Sequence, residues 1–167
     1  MQLERLYDEH ADALFGFLLN LTRSEADTRD ALQELFRRLA LRPTLLAGVC
    51  DERGFLLRMA HNQAIDAIRH RAARNRKHEF QALETGGLFA LAPDPDTQTF
   101  RAALEAALAE LPADQRAVVH LKLWEGLTFE RIADALAIPL NTAASRYRYG
   151  LDKMRERLRP LYAEIQP

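Results

Sequence analysis

The sequence predicts an all-α protein built as two small helical domains joined by a linker. Three observations carry this expectation. Apolar residues recur at intervals of three and four along most of the chain, whereas Val, Ile and Thr never cluster in strict alternation, so helices are favoured over strands. Composition changes between Glu79 and Thr97, where Gly86-Gly87 and Pro93-Asp94-Pro95 fall among Glu79, Glu84, Asp94 and Asp96 with no base, as in a linker. Charge is also partitioned: net −3 over residues 1–54, +5 over 55–78, −5 over 79–111 and +2 over 112–167, against a total of −1. Two basic segments are therefore hidden by acidic ones, and the near-neutral total does not argue against nucleic acid.

The expected domains are residues 1–78 and 98–167, with the linker at 79–97. In the first, a helix over 3–21 carries Leu6, Leu14, Phe17, Leu18 and Leu21 as its core stripe. Ser24 is placed to cap a second helix running to about Leu41, with Asp27 three residues on. Pro43, Gly48 and Gly54 break the stretch that follows, and a third long helix covers about 52–76. Within the linker, Phe80, Leu83, Leu88, Phe89 and Leu91 imply partial order. Beyond it, helices are expected near 98–110, 113–124, 128–136 and 141–162, with Trp124 read as core.

Several classes are excluded at this point. Cys50 is the lone cysteine, so neither an internal disulfide nor a Cys-rich zinc site can form. No apolar run approaches the roughly 20 residues that span a bilayer, and MQLERLYDEH lacks the layout of a signal peptide, which together predict a cytoplasmic protein. There is no Gly-rich phosphate loop, no metal-spaced His or Cys cluster and no nucleophilic triad. No enzyme, cofactor or metal is expected.

The most specific local pattern is LTFERIADALAIPLNTAASRYRYGLDKMRERL. Thr128 is a usable N-cap for a short helix with Ile132, Ala133 and Leu136 turned inward. Ile138-Pro139-Leu140 makes a tight turn plugged by Ile138, and Asn141 is placed to cap the next helix. That is a helix-turn-helix layout. Ala137 stands where such turns often use Gly; a left-handed backbone there costs on the order of 1 kcal/mol. Ala143, Tyr147, Leu151, Met154 and Leu158 form one core stripe, leaving Thr142, Ser145, Arg146, Arg148, Tyr149 and Lys153 on the other face. Such side chains near a helix N-terminus can reach base edges in a major groove. A helical hairpin packed on another protein fits the same pattern.

Residues 55–77, FLLRMAHNQAIDAIRHRAARNRK, form the other basic unit. Leu57, Ala60, Ala64 and Ile68 share one side, whereas Arg58, Asn62, Asp66 and Arg69 fall within a sector of about 80° elsewhere. Guanidinium, amide and carboxylate together can both donate to and accept from a base. Arg71, Arg74, Arg76 and Lys77 follow with no acid among them and would track a phosphate backbone. A solvated helix with internal Arg and Asp contacts is the plainer alternative.

With these blocks in order, the chain resembles the extracytoplasmic-function sigma factors, small two-domain initiation subunits of bacterial RNA polymerase. DALQELFRRLA (30–40), FLLRMAHNQAIDAIRHR (55–71) and ALAELPADQRAVVHLKLWEGLTFERIADALAIPLNTAASRYRYGLDKMRERL (107–158) carry the resemblance. It implies that Asp30, Gln33, Glu34 and Arg37 grip core polymerase, with Phe36 in the same run equally readable as core. It implies that Arg58, Asn62, Asp66 and Arg69 read the minus-10 promoter element as a melted strand. Lys122, Thr142, Ser145, Arg146, Arg148 and Tyr149 would meet the minus-35 duplex. Core polymerase, promoter DNA and an anti-sigma factor are the implied partners. The sequence departs from the family's common pattern at Phe55, Ala144 and Tyr149. A helix-turn-helix regulator that needs no polymerase is the alternative, as is a helical interaction protein; DALQELF joined to a second base-reading helix is what neither requires.

Overall fold

The computed structural model describes residues 2–75 and 95–165. The expected order in the linker and the phosphate contacts of Arg76 and Lys77 lie outside the described residues. Among these, all regular structure is helical: α1 (Gln2–Thr22), α2 (Glu25–Leu41), a 3-10 turn (Pro43–Leu46), α3 (Glu52–Asn75), α4 (Pro95–Glu110), α5 (Ala113–Leu123), α6 (Phe129–Leu136) and α7 (Leu140–Ile165). α1, α2 and α3 pack on one another, while α4, α5 and α6 gather on α7. The halves also touch, α1 against α5 and α3 against α6, so that Leu14, Phe17 and Leu57 share one apolar cluster with Val118, Leu121 and Ile132.

Local chemistry explains the helix ends. Ser24 is extended and its hydroxyl accepts from the Asp27 amide at 3.2 Å, as the spacing predicted. Thr128 does the same for Arg131 at 3.3 Å. Asn141 does not cap α7. The helix begins one residue earlier, at Leu140, and the amides of Thr142 and Ala143 are taken by the Pro139 carbonyl, which leaves Asn141 in the first turn. α4 begins at Pro95, a residue tolerated in a first turn because its missing N–H would have no partner there. Pro160 lies inside α7.

The core stripes fall as the periodicity predicts. Leu6, Leu14, Phe17, Leu18 and Leu21 of α1 are buried, as are Leu57, Ala60 and Ala64 of α3 and Ile132, Ala133 and Leu136 of α6. On α7, Ala143, Met154 and Leu158 are buried, with Tyr147 and Leu151 half-buried. Trp124 departs from expectation: it caps the end of α5, stacks on His120 at 5.4 Å and remains 38% exposed. Gly150 sits where α7 approaches α5 closely, since a Cβ there would lie 2.8 Å from Val119 Cγ2. Close helix contact therefore depends on the absence of a side chain.

Candidate nucleic-acid interface

α3 presents its polar sector as the spacing requires. Arg58, Asn62, Asp66 and Arg69 are all exposed, with Leu56, Leu57, Ala60 and Ala64 buried on the opposite side. Asp66 and Arg69 form a loose pair at 3.9 Å, leaving both groups largely in solvent. Arg58 is engaged: its guanidinium donates to the carbonyl of Asp134, in the last turn of α6. Arg71 belongs to the fold, because it donates to Asp27 and to the Thr22 carbonyl at 3.1 Å, closing the C-terminal end of α1. Arg74 stays exposed.

The helix-turn-helix carries the second face. α6 ends on Ala137, whose φ of 53° and ψ of 48° place it in the left-handed region, and its amide is taken by Ala133 and Asp134. Ile138 donates to the Ala133 carbonyl at 3.0 Å and packs on the core, plugging the turn. α7 then leaves Arg148 and Tyr149 exposed, with the guanidinium 5.2 Å over the ring. Other predicted members of this face are partly occupied. Ser145 donates to the Thr142 carbonyl at 3.1 Å. Arg146 pairs with Asp114 of α5 at 2.8 Å, its side chain 29% exposed. Lys122 donates to the Leu127 carbonyl at 3.1 Å and lies 4.8 Å over Phe129. Thr142 is half-exposed at the head of the helix.

The predicted polymerase-binding residues of α2 divide between two grooves. Gln33 and Arg37 line one of about 580 Å3 with Tyr7, Phe15, Leu32 and Phe36. Asp30 and Glu34 face the other, between α2 and α3, beside Asp66 and Arg74. Phe36 is 9% exposed and tilts against Tyr7 at 4.9 Å, which makes it core as well as groove wall. Glu34 accepts from Arg37 at 2.7 Å and from Arg38 at 2.9 Å, and these hydrogen bonds pull its carboxyl from 4.5 to about 2.

Sequence reasoning missed the tertiary partners. Asp114, which holds Arg146, and the Asp134 carbonyl, which holds Arg58, are distant in the chain and carry no local signal. Arg116, between Asp114-Gln115 and Ala117-Val118-Val119, carries no local signal of burial. It is 7% exposed and donates to the Ala109 and Leu21 carbonyls, both at 3.2 Å. Burial, together with the nearby Arg23, lowers its pKa from 12.5 to about 10. No helix among the described residues is long and apolar enough to cross a membrane.

Comparison with known proteins places this geometry. Residues 6–74 match the family described as Sigma-70 region 2, and residues 101–154 match Sigma-70, region 4. The chain is 31% identical over 161 residues to the ECF RNA polymerase sigma factor SigL of Mycobacterium tuberculosis, covering 95% of this chain and 90% of that one. It is also 31% identical over 172 residues to the RNA polymerase sigma factor CarQ of Myxococcus xanthus, covering 97% and 92%. Among solved structures, the sigma factor RpoE of Bartonella quintana, crystallised with the anti-sigma factor NepR, shares the fold, with a TM-score of 0.75 at 20% identity over 95% of this chain and 97% of that one. Two promoter-factor regions in order, with relatives matched along almost their whole length, establish that the chain belongs to the extracytoplasmic-function RNA polymerase sigma factors.

Proposed function

We propose that this sigma factor directs promoter-specific initiation through two separate readers. α3 takes the minus-10 element as a melted strand, using Arg58, Asn62, Asp66 and Arg69. The helix-turn-helix takes the minus-35 duplex mainly through Arg148 and Tyr149, with Thr142 and Ser145 at the head of α7. Lys122 and Arg146 support that face by fixing Phe129 and Asp114 as much as by meeting phosphate. Gln33 and Arg37, lining a groove with an aromatic wall, meet core polymerase, with Asp30 and Glu34 on the adjoining edge.

The observation that carries this reading is the coexistence of two exposed polar faces of different character in one chain. Arg58, Asn62 and Asp66 offer both donors and acceptors, the groups that hydrogen-bond the exposed edge of an unpaired base. A regulator acting without polymerase would have no use for that helix or for the grooves of α2. The chain performs no catalysis of its own, works in the cytoplasm without entering a membrane, and needs no cofactor or metal. An anti-sigma factor is a further expected partner, as the relative crystallised with NepR suggests.

Transcription with purified core polymerase and a pool of promoters tests this. Specific transcripts are expected only when the protein is added. Duplex binding without any transcript would overturn the reading.

A further inference from the structure

Beside the end of α1 lies an open cleft of about 760 Å3 whose chemistry neither proposed reader uses. Ala102, Ala106 and Ala109 of α4, with Ile68 of α3, give it a wall of short and apolar side chains. Arg23, Arg71 and Arg116, from separate parts of the chain, line it as well. They gather on consecutive residues: Arg116 donates to the Leu21 carbonyl at 3.2 Å, Arg71 to the Thr22 carbonyl at 3.1 Å, and Arg23 follows directly. Their charges are unequally answered. Arg71 has Asp27, and Arg23 lies near Glu105 and donates to that residue's carbonyl at 3.4 Å. Glu110, the other acid of the cleft, is held by Arg157 at 2.9 Å. Arg116, 7% exposed, bonds two carbonyls, meets no carboxylate among the described residues, and has its Nε buried without a partner. A buried cation without a counter-charge is costly, and an anion brought beside it offsets that cost. Arg23 also holds a left-handed backbone, φ 58°, which Gly or Asn adopts more cheaply. Unanswered charge and backbone strain in one cleft suit a binding site better than a core.

We infer that this cleft binds a phosphorylated small molecule of nucleotide type, its phosphates beside Arg23 and Arg116 and its organic body on the alanine wall. Guanidinium forks match phosphate oxygens, and a diphosphate brings acceptors and charge enough for more than one of them. The volume falls within the range of small-molecule sites, about 300–1,000 Å3. A bare anion would leave the wall uncovered, while a neutral ring would leave Arg116 unanswered. The site does not rest on promoter reading, since none of Arg58, Asn62, Asp66, Arg148 and Tyr149 lines the cleft.

Isothermal titration of the full chain with ADP, inorganic pyrophosphate and adenosine tests this. ADP should bind once per chain, roughly tenfold tighter than pyrophosphate, with adenosine weaker still. Arg23→Gly removes a guanidinium and relaxes the backbone, so helix content by circular dichroism should hold while ADP affinity falls roughly tenfold. Ala106→Leu leaves the arginines intact; on the exposed side of α4 it should weaken ADP and leave pyrophosphate unchanged. Arg155→Ala, exposed on α7 and outside the cleft, controls for general charge and should bind as the parent does. No ADP binding in the parent, ADP and pyrophosphate bound alike, unchanged ADP affinity in Arg23→Gly or Ala106→Leu, or equal loss in Arg155→Ala would each overturn the inference. Displacement of ADP by a short DNA duplex would overturn it too, assigning the arginines to a nucleic-acid backbone. Promoter reading is scored separately by transcripts, so the cleft and the proposed function can fail independently.

Discussion

The two proposed reading faces are built by opposite strategies. α3 displays Arg58, Asn62, Asp66 and Arg69 on a long straight helix whose other side is buried, so the polar sector is free of the fold's own needs apart from Arg58. The helix-turn-helix is compact, and its polar residues share their work. Lys122 braces Leu127 and Phe129, Arg146 ties α7 to α5, and Ser145 bonds its own helix. A small domain has few residues to spare, so the side chains that hold the turn lie beside those proposed to meet DNA. Exposure therefore separates proposed reader from brace on α7, whereas on α3 helical spacing does so for all but Arg58.

The largest test of this contrast lies in the free side chains. Asn62→Ala and Arg148→Ala should each reduce specific initiation about 10- to 100-fold, the loss of a base contact of ~1–3 kcal/mol, with thermal unfolding unchanged. Arg148→Ala moving the melting temperature instead would make that residue a brace. A middling effect is expected at the helix crossing. Gly150→Ala brings a methyl against the stiff, buried Val119, and overpacking of about 1–3 kcal/mol exceeds the gain of about 1 kcal/mol in helix propensity. Denaturant unfolding should show a net loss of roughly 1 kcal/mol, and a stabilised variant would contradict the close approach.

Smaller still is the turn. Ala137 adopts the left-handed conformation at a cost Gly would avoid, so Ala137→Gly should stabilise by about 0.5 kcal/mol once the greater freedom of unfolded Gly is counted. A fall in stability would mean that Ala137 packs rather than strains. The smallest effect concerns acid. The His120 ring, 3.7 Å away, and then the hydrogen bond from Arg53 hold the Glu125 carboxyl below its usual 4.5, so its contribution is complete above that value and is lost as pH falls through the lower folded pKa. Stability followed from pH 6 downward should decline only below about 4.5 on this account. A decline complete by pH 5.5 would assign it to another group.

Most of the fold was legible because long amphipathic helices write their buried side into the sequence. The Ser24 and Thr128 caps were legible for the same local reason, a hydroxyl reaching an amide three residues on. Asn141 failed because the Pro139 carbonyl already serves the first amides of α7. Trp124, read as core, instead stacks at the end of α5 on the face of His120 and remains 38% exposed. What lay beyond reach was tertiary pairing. Nothing near Arg146 announces Asp114, and nothing near Arg58 announces Asp134. Asn20 in an apolar helix was a visible anomaly, but its reason appears only where the halves meet, and Arg116 beside Asp114 and Gln115 gave no such sign.

The central claim is that two faces read two elements. It is tested most directly by transcribing a randomised promoter library with core polymerase and the wild type, Asn62→Ala and Arg148→Ala in parallel. The account predicts that Asn62→Ala relaxes base preference only within the minus-10 element and Arg148→Ala only within the minus-35 element. Preferences that fall uniformly across both elements in either variant would contradict it.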